Sequence, residues 1–304
     1  GLALAACGTA LNRRGASTAG RALTGPAAAL LRQGMALKPA PARHALAADR
    51  IHELVMDDGV RLQVYAWGES VGGVPVLLQH GFAANTRANW VEPGVVAALR
   101  DAGRPVLAVD ARGHGGSDAP HDPAYYGEAR MARDLAMVAD ALALERFDLV
   151  GYSMGAIVAL LVAADSRRVR RLVVGGIGEA AVELGGVDHR VFDPLLLADD
   201  LLREDPAGVH QSGSLLFRLF AERMGGDRHA LAAQARSFHR VPIALSAIRA
   251  PVLVIAGRRD VLARNPQRLA DALPDAERVQ VPGDHLGAVA QPALARAITT
   301  FLSH

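Results

Sequence analysis

The sequence predicts an α/β fold: a mostly parallel sheet of the eight-stranded type, with flanking helices and a small helical insertion. Three observations predict it. Short, unbroken apolar runs recur along the chain, as expected for strands buried on both faces of a parallel sheet. Stretches with apolar residues at helical spacing lie between these runs, which is the alternation of an open parallel sheet. One later stretch, residues 179–242, contains helix-like pieces and no convincing strand.

The regular pattern begins with a β-hairpin, in which Ile51–Met56 and Arg61–Trp67 flank the turn residues Asp57-Asp58-Gly59. The strand-like runs that follow are Pro75–Gln79, Pro105–Asp110, Phe147–Val150, Arg171–Val174, Pro251–Ala256 and Arg278–Val281. The helical stretches between strands are Val95–Asp101, Arg130–Leu144 and Met154–Asp165, and those of the insertion are Leu195–Leu202 and Leu215–Met224. In such sheets we expect the chemistry at the carboxyl ends of the strands.

We predict three parts along the chain. Residues 1–48 form an N-terminal extension or leader that is poorly ordered, residues 49–178 and 243–304 form the sheet core, and residues 179–242 form a helical cap. Small residues precede Cys7, which resembles the end of a bacterial lipoprotein signal. The alternative is an alanine-rich helical extension, in which Ala27–Leu37 forms a short amphipathic helix. The expected location is the cytoplasm, or the cell envelope if Cys7 is lipidated.

Composition excludes several classes of protein. Hydrophobic residues make up 51% of the chain and charged residues 21%, which is enough apolar material for a substantial core. The formal net charge is only +2 and the basic residues are scattered, so we expect no nucleic-acid partner. Cys7 is the only cysteine, which excludes an internal disulfide and a thiolate zinc site. The apolar stretches are shorter than the roughly 20 residues of a membrane span, and nothing in the sequence indicates an oligomeric state.

The motif that carries the chemistry is Gly151-Tyr152-Ser153-Met154-Gly155, which follows a predicted strand and opens a predicted helix. This is the G-x-S-x-G pattern in the strand–turn–helix context that it requires. The turn is so tight that side chains flanking the serine would collide, so glycine is needed there. It lifts the serine hydroxyl above the sheet edge and close to a helix N-terminus.

Four more motifs agree with this one in order along the chain. They are His80-Gly81-Phe82, the run Asp110-x-Arg112-Gly113-His114-Gly115-x-Ser117, Gly257-Arg258-Arg259-Asp260 and Gly283-Asp284-His285. With these motifs the chain from about residue 51 to 304 resembles the α/β-hydrolase fold family, in its serine-nucleophile, esterase- and lipase-like branch. The order Ser, Asp, His along the chain is also that of the family.

The resemblance implies a role for each motif. Ser153 would be the nucleophile and His285 its general base, while Asp260 would hold the imidazole in one tautomer. Some family members carry the acid at a position that matches Glu179 instead. The backbone N–H groups of Phe82 and Met154 would form the oxyanion hole.

We expect the remaining polar residues near the site to have structural roles. His80 and His114 are expected to brace the backbone near the site, and Asp110 to fix the arginine–glycine loop. The histidines of the insertion show no metal-ligand spacing, so we predict no metal site and no cofactor; they are His189, His210, His229 and His239.

The serine at the turn narrows the reaction. Family members that open epoxides or remove halogen use an aspartate there, so we expect acyl transfer to water. Carboxylic ester hydrolysis comes first, then lactone, thioester or amide cleavage. Carbon–carbon bond hydrolases and cofactor-free perhydrolases share the same triad and remain alternatives. A non-catalytic binding role is less supported because the triad is intact. The expected substrate is a small ester or acyl compound, with an apolar acyl group as the first hypothesis.

Overall fold

The computed structural model describes residues 47–69, 71–205, 208–210 and 212–304. The predictions about the leader, Cys7 and the helix Ala27–Leu37 lie outside these residues. Within them, no helix is both long enough and apolar enough to cross a membrane.

Eight strands form one sheet, in the order β1-β2-β4-β3-β5-β6-β7-β8. Strand β2 runs antiparallel to its neighbours β1 and β4, and all the other pairs are parallel. The predicted fold class is therefore confirmed. The strands are β1 (Arg50–Val55), β2 (Arg61–Trp67), β3 (Val76–Gln79), β4 (Val106–Asp110), β5 (Phe147–Tyr152), β6 (Val169–Gly175), β7 (Val252–Gly257) and β8 (Ala276–Val281).

Burial explains which strands the sequence indicated most clearly. Strands β3, β4, β5 and β7 are buried along their whole length because helices cover both faces of the sheet. Strand β8 lies at an edge and most of its residues are exposed, so it carries charged residues, and it begins two residues before the predicted strand. The apolar pattern of an edge strand is weaker because one side of the strand faces water.

The helices lie on both faces of the sheet. On one face α2 and α3 pack into the larger hydrophobic core, and on the other face α1 and α9 pack into a second core. Helix α2 ends three residues before the predicted end, since Ala143 has a left-handed backbone (φ 51°) that stops the helix. The α-helices are α1 (Val95–Asp101), α2 (Glu128–Ala141), α3 (Met154–Asp165), α4 (Glu179–Glu183), α5 (Pro194–Leu202), α6 (Ser212–Met224), α7 (Arg228–Arg236), α8 (Pro266–Asp271) and α9 (Pro292–Leu302).

Residues 179–242, called the cap segment below, contain α4 to α7 and, among the described residues, no strand. The cap segment lies over the sheet through its aromatic side chains. Phe217 and Phe238 each meet the ring of Phe82 edge-on, with ring centroids 5.6 and 5.2 Å away. Because Phe82 follows β3, the cap segment covers the carboxyl ends of the central strands.

Candidate active site

Ser153 occupies the sharp turn between β5 and α3. Its backbone is in a strained region for a residue with a side chain (φ 54°, ψ −119°), and its N–H donates to the carbonyl of Gly175 at 2.8 Å. The two flanking glycines are required by close approach: a Cβ on Gly151 would collide with the carbonyl of Gly155, and a Cβ on Gly155 with the carbonyl of Gln79. The surrounding backbone therefore holds the serine hydroxyl in place.

Three of the predicted residues form one continuous hydrogen-bonded chain. Nε2 of His285 lies 2.9 Å from Oγ of Ser153, and Nδ1 of His285 lies 2.9 and 3.0 Å from the two carboxylate oxygens of Asp260. Ser153 is 8% exposed, His285 7% and Asp260 6%, so the hydrogen-bonded chain is largely shielded from water while the serine remains reachable. The groups come from the ends of β5, β7 and β8, which meet at one edge of the sheet.

The structure brings Asp260, and not Glu179, to the histidine. Oδ1 of Asp260 also accepts hydrogen bonds from the backbone N–H groups of Leu262 (2.9 Å) and Ala263 (3.2 Å), which fix the carboxylate. The carboxylate of Glu179 instead lies 3.3 Å from the guanidinium of Arg190, with no contact to His285.

The amides of Phe82 and Met154 are available near Ser153. On either side of Phe82 the backbone N–H groups are already used: that of Gly81 donates to Oδ1 of Asn89 (3.0 Å) and that of Ala83 to Nε2 of His114 (3.1 Å). Met154 is the first residue of α3, where an N–H has no partner within its helix. Neither of these two amides donates to another group in the described part of the chain.

Two buried histidines brace the loop after β3. His80 donates from Nδ1 to the carbonyl of Gly81 (2.8 Å) and accepts at Nε2 from the N–H of Ala111 (2.9 Å). His114 donates from Nδ1 to the carbonyl of Arg112 (2.9 Å). Burial lowers the pKa of His80 and lowers the pKa of His114 to about 3, so both rings are neutral at physiological pH. These contacts agree with the backbone-bracing role predicted for both histidines.

Asp110 fixes the next loop by its hydrogen bonds. Its carboxylate accepts from the N–H groups of Thr86 (2.7 Å) and Gly116 (2.9 Å), and its carbonyl accepts from the hydroxyl of Ser117 (2.5 Å). The fully buried guanidinium of Arg112 binds Asp134 through two hydrogen bonds of 2.7 Å. This ion pair keeps the loop rigid behind the site.

Two cavities reach Ser153. The first is lined mainly by apolar side chains that include Phe192, Phe217 and Phe238 of the cap segment. The second is lined by His285 and by residues that include Leu286 and Val289. Phe217 lines both cavities and therefore stands between them.

Three residues near the site were missed by sequence reasoning. The hydroxyl of Tyr152 donates to the carbonyl of His285 at 2.6 Å, which ties the histidine loop to β5. Asn89 accepts from the amide of Gly81 and lines the second cavity. Asp188 is buried and lines the first cavity while it binds Arg190. Tyr152 lay inside the serine motif, but nothing local marked Asn89 or Asp188.

Several known proteins are similar to this chain. The chain is 32% identical over 253 residues to a protein named as carbamate hydrolase RutD from Variovorax paradoxus, covering 76% of this chain and 92% of that protein. It is 32% identical to a protein from Bacillus subtilis named as 2-succinyl-6-hydroxy-2,4-cyclohexadiene-1-carboxylate synthase, but covers only 53% of its length and 50% of this chain. A hydrolase structure from Pseudomonas aeruginosa PA01 superposes with a TM-score of 0.64 at 28% identity, covering 84% of this chain and all of that one.

The family model of the alpha/beta hydrolase fold matches residues 74–289, which contain every motif identified above. The match, the eight-stranded sheet and the superposed structure all indicate the same fold family. The chain belongs to the alpha/beta hydrolase fold family.

Proposed function

We propose that the protein is a serine hydrolase that cleaves a carboxylic ester through an acyl-enzyme. The observation that carries this proposal is the hydrogen-bonded chain from Ser153 through His285 to Asp260, with links of 2.9 to 3.0 Å. Distances of this size are those expected between a nucleophile, its base and the group that orients the base.

In the proposed reaction, Oγ of Ser153 attacks the ester carbonyl carbon as Nε2 of His285 takes the hydroxyl proton. The carbonyl π bond breaks and its electrons move to the oxygen, which the N–H groups of Phe82 and Met154 stabilise. Asp260 stabilises the imidazolium that forms. When the intermediate collapses, the bond to the alkoxide breaks and His285 protonates it. Water, activated by the same histidine, then hydrolyses the acyl-enzyme and regenerates Ser153.

The two cavities support a division of the substrate. His285 must protonate the leaving group, and it lines the second cavity, so we assign the alcohol part to that cavity. The first cavity reaches Ser153 without His285 in its lining, and we assign the acyl part to it. Its phenylalanine walls favour an apolar acyl group, because burial of each CH₂ contributes about 0.8 kcal/mol.

Lactonase, carbamate hydrolase, perhydrolase and carbon–carbon bond hydrolase reactions are alternatives on the same residues. The described lining of both cavities includes no arginine or lysine. A substrate that carries a free carboxylate would have to be desolvated there without a counter-charge, which is costly. This favours neutral esters over substrates that carry a free carboxylate. A purely binding role would not require the strained backbone at Ser153 or the hydrogen bond from its hydroxyl to His285.

The test is turnover of p-nitrophenyl esters from acetate to octanoate by the parent and by Ser153→Ala. We expect turnover with a burst in the parent, and a loss of about 10⁶-fold in kcat in the variant. A fluorophosphonate probe should label the parent and not the variant. Labelling without turnover of any ester would contradict the ester proposal and favour a narrower acyl substrate. Absence of both would favour the binding role.

A further inference from the structure

Three side chains that can bind a metal ion converge where the core meets the cap segment. His121 lies in the core loop between β4 and α2, while Asp227 and His229 lie at the start of α7. Their ligand atoms all lie within 4.8 Å of one another. None of them belongs to the proposed catalytic site.

The geometry centres on the carboxylate of Asp227. Nε2 of His121 lies 2.8 Å from Oδ2 of Asp227, and Nδ1 of His229 lies 3.9 Å from Oδ1. The two imidazole rings are stacked, with centroids 5.1 Å apart and an angle of 29° between their planes. Each ring therefore presents a nitrogen to one oxygen of the same carboxylate.

The carboxylate is held in place independently of the two imidazole rings. Oδ1 of Asp227 accepts hydrogen bonds from the N–H groups of His229 (2.9 Å) and Ala230 (3.2 Å), which cap the N-terminus of α7. The side chains of His121, His229 and Asp227 are 58%, 65% and 38% exposed, so an ion from solvent reaches them without any opening of the fold.

We propose that His121, Asp227 and His229 form a binding site for a divalent transition-metal ion of the zinc type. Two imidazole nitrogens and one carboxylate suit zinc, nickel or copper, whereas magnesium and calcium require oxygen ligands. Tetrahedral zinc with bonds of about 2.0–2.1 Å needs ligand atoms roughly 3.3 Å apart. Rotation of these exposed side chains must bring the longest separations, of up to 4.8 Å, to that value, and water completes the coordination.

The site would connect the cap segment to the core at an interface where hydrogen bonds already join the two. At this interface the hydroxyl of Ser237 donates to the carbonyl of Pro123 (2.9 Å), and the N–H of His239 donates to the carboxyl group of Glu128 (2.6 Å). A metal ion bound across the interface stabilises this arrangement, because it binds the folded state and not the separated elements. The residue between those two contacts, Phe238, is a wall of the first cavity.

The experiment is calorimetric titration of the tag-free, metal-stripped protein with zinc chloride, repeated with His121→Ala and His229→Ala. We expect one zinc ion per chain in the parent and at least about a tenfold weaker Kd in each variant. The matched control is His52→Ala, because His52 forms a similar pair with Glu69 at 2.8 Å but, among the described residues, belongs to no group of three metal-binding side chains. This control should bind zinc as the parent does.

The proposed catalytic histidine could also bind zinc, so the titration is repeated with His285→Ala. The inference requires that this variant keeps the ion that His121→Ala and His229→Ala lose. Thermal unfolding gives a second readout: zinc should raise the Tm of the parent and of His52→Ala, and raise it much less in the two ligand variants. Unchanged affinity in both ligand variants, or loss of zinc in His285→Ala alone, would overturn the inference. So would the absence of zinc binding by the parent, or binding of magnesium with equal strength.

Discussion

Asparagine at position 260 gives a sharp test of the proposed triad, because the backbone around Asp260 dictates how the amide must sit. One carboxylate oxygen of Asp260 accepts from the N–H groups of Leu262 and Ala263. In Asp260→Asn that place must be taken by the amide oxygen, since an NH₂ group there would face two donors. The amide NH₂ group then takes the place of the other carboxylate oxygen, which in the parent lies 2.9 Å from Nδ1 of His285. The NH₂ group therefore faces Nδ1.

The consequence is a change of tautomer at His285. Nδ1 becomes an acceptor and the ring proton moves to Nε2, which lies 2.9 Å from Oγ of Ser153. A protonated Nε2 donates to the hydroxyl and cannot take its proton. The stabilising charge beside the imidazolium is lost as well. We therefore expect kcat to fall about 10⁴-fold, which corresponds to about 5 kcal/mol of transition-state stabilisation.

The assay is steady-state hydrolysis of a p-nitrophenyl ester that the parent turns over, with the Tm of each variant measured to show that the fold is intact. The matched control is Glu179→Gln, because this carboxylate binds Arg190 and does not contact His285. It should retain kcat within about threefold of the parent. If Asp260→Asn keeps more than about a tenth of the parent kcat while Glu179→Gln is inactive, Glu179 is the acid and the reasoning is wrong.

Three further predictions concern packing, pH and specificity. Gly155→Ala places a Cβ against the carbonyl of Gln79, so the free energy of unfolding in urea should fall by about 1–3 kcal/mol, and an unchanged value would refute the packing argument. Burial raises the pKa of Glu128 from 4.5 to about 7, so the folded protein holds a proton that the unfolded chain releases. Between pH 4.5 and 7 the free energy of unfolding of the parent should therefore fall by about 2–3 kcal/mol relative to that of Glu128→Gln, and parallel curves would exclude this. Phe217 lines both cavities, so Phe217→Ala should raise kcat/KM for octanoate relative to acetate esters by about tenfold, and a constant ratio would place the acyl chain elsewhere.

Patterns within a few consecutive residues predicted the elements well. Unbroken apolar runs located β3, β4, β5 and β7 because burial on both faces leaves no polar positions. The weaker predictions were the ends of elements, where single residues decide. Ala143 ended α2 early through its left-handed backbone. Helices α4, α7, α8 and α9 were not predicted, although Asp227 is a favourable N-cap residue for α7.

The proposed catalytic residues were accessible to sequence reasoning for a related reason. Ser153 lies in a turn whose glycines are required by contacts within a few residues, so its motif is visible locally. Asp260 and His285 directly follow strands, where the carboxyl ends of a parallel sheet bring distant residues together. The resemblance assigned the acid to Asp260, but position after a strand does not separate it from Glu179, because the two residues follow the neighbouring strands β7 and β6.

The sequence by itself determined the fold class, the position of Ser153 and the set of residues from which its partners would come. These depend on periodicity and on tight turns, which are properties of neighbouring residues. Only the tertiary structure decided which carboxylate reaches His285, which amide of the loop after β3 has no partner among the described residues, and that Asp188 lines the first cavity. It also brought His121 beside Asp227, 106 positions along the chain. Such contacts depend on how separate elements pack against one another. Sequence patterns involve neighbouring residues only, so they do not predict contacts between residues far apart along the chain.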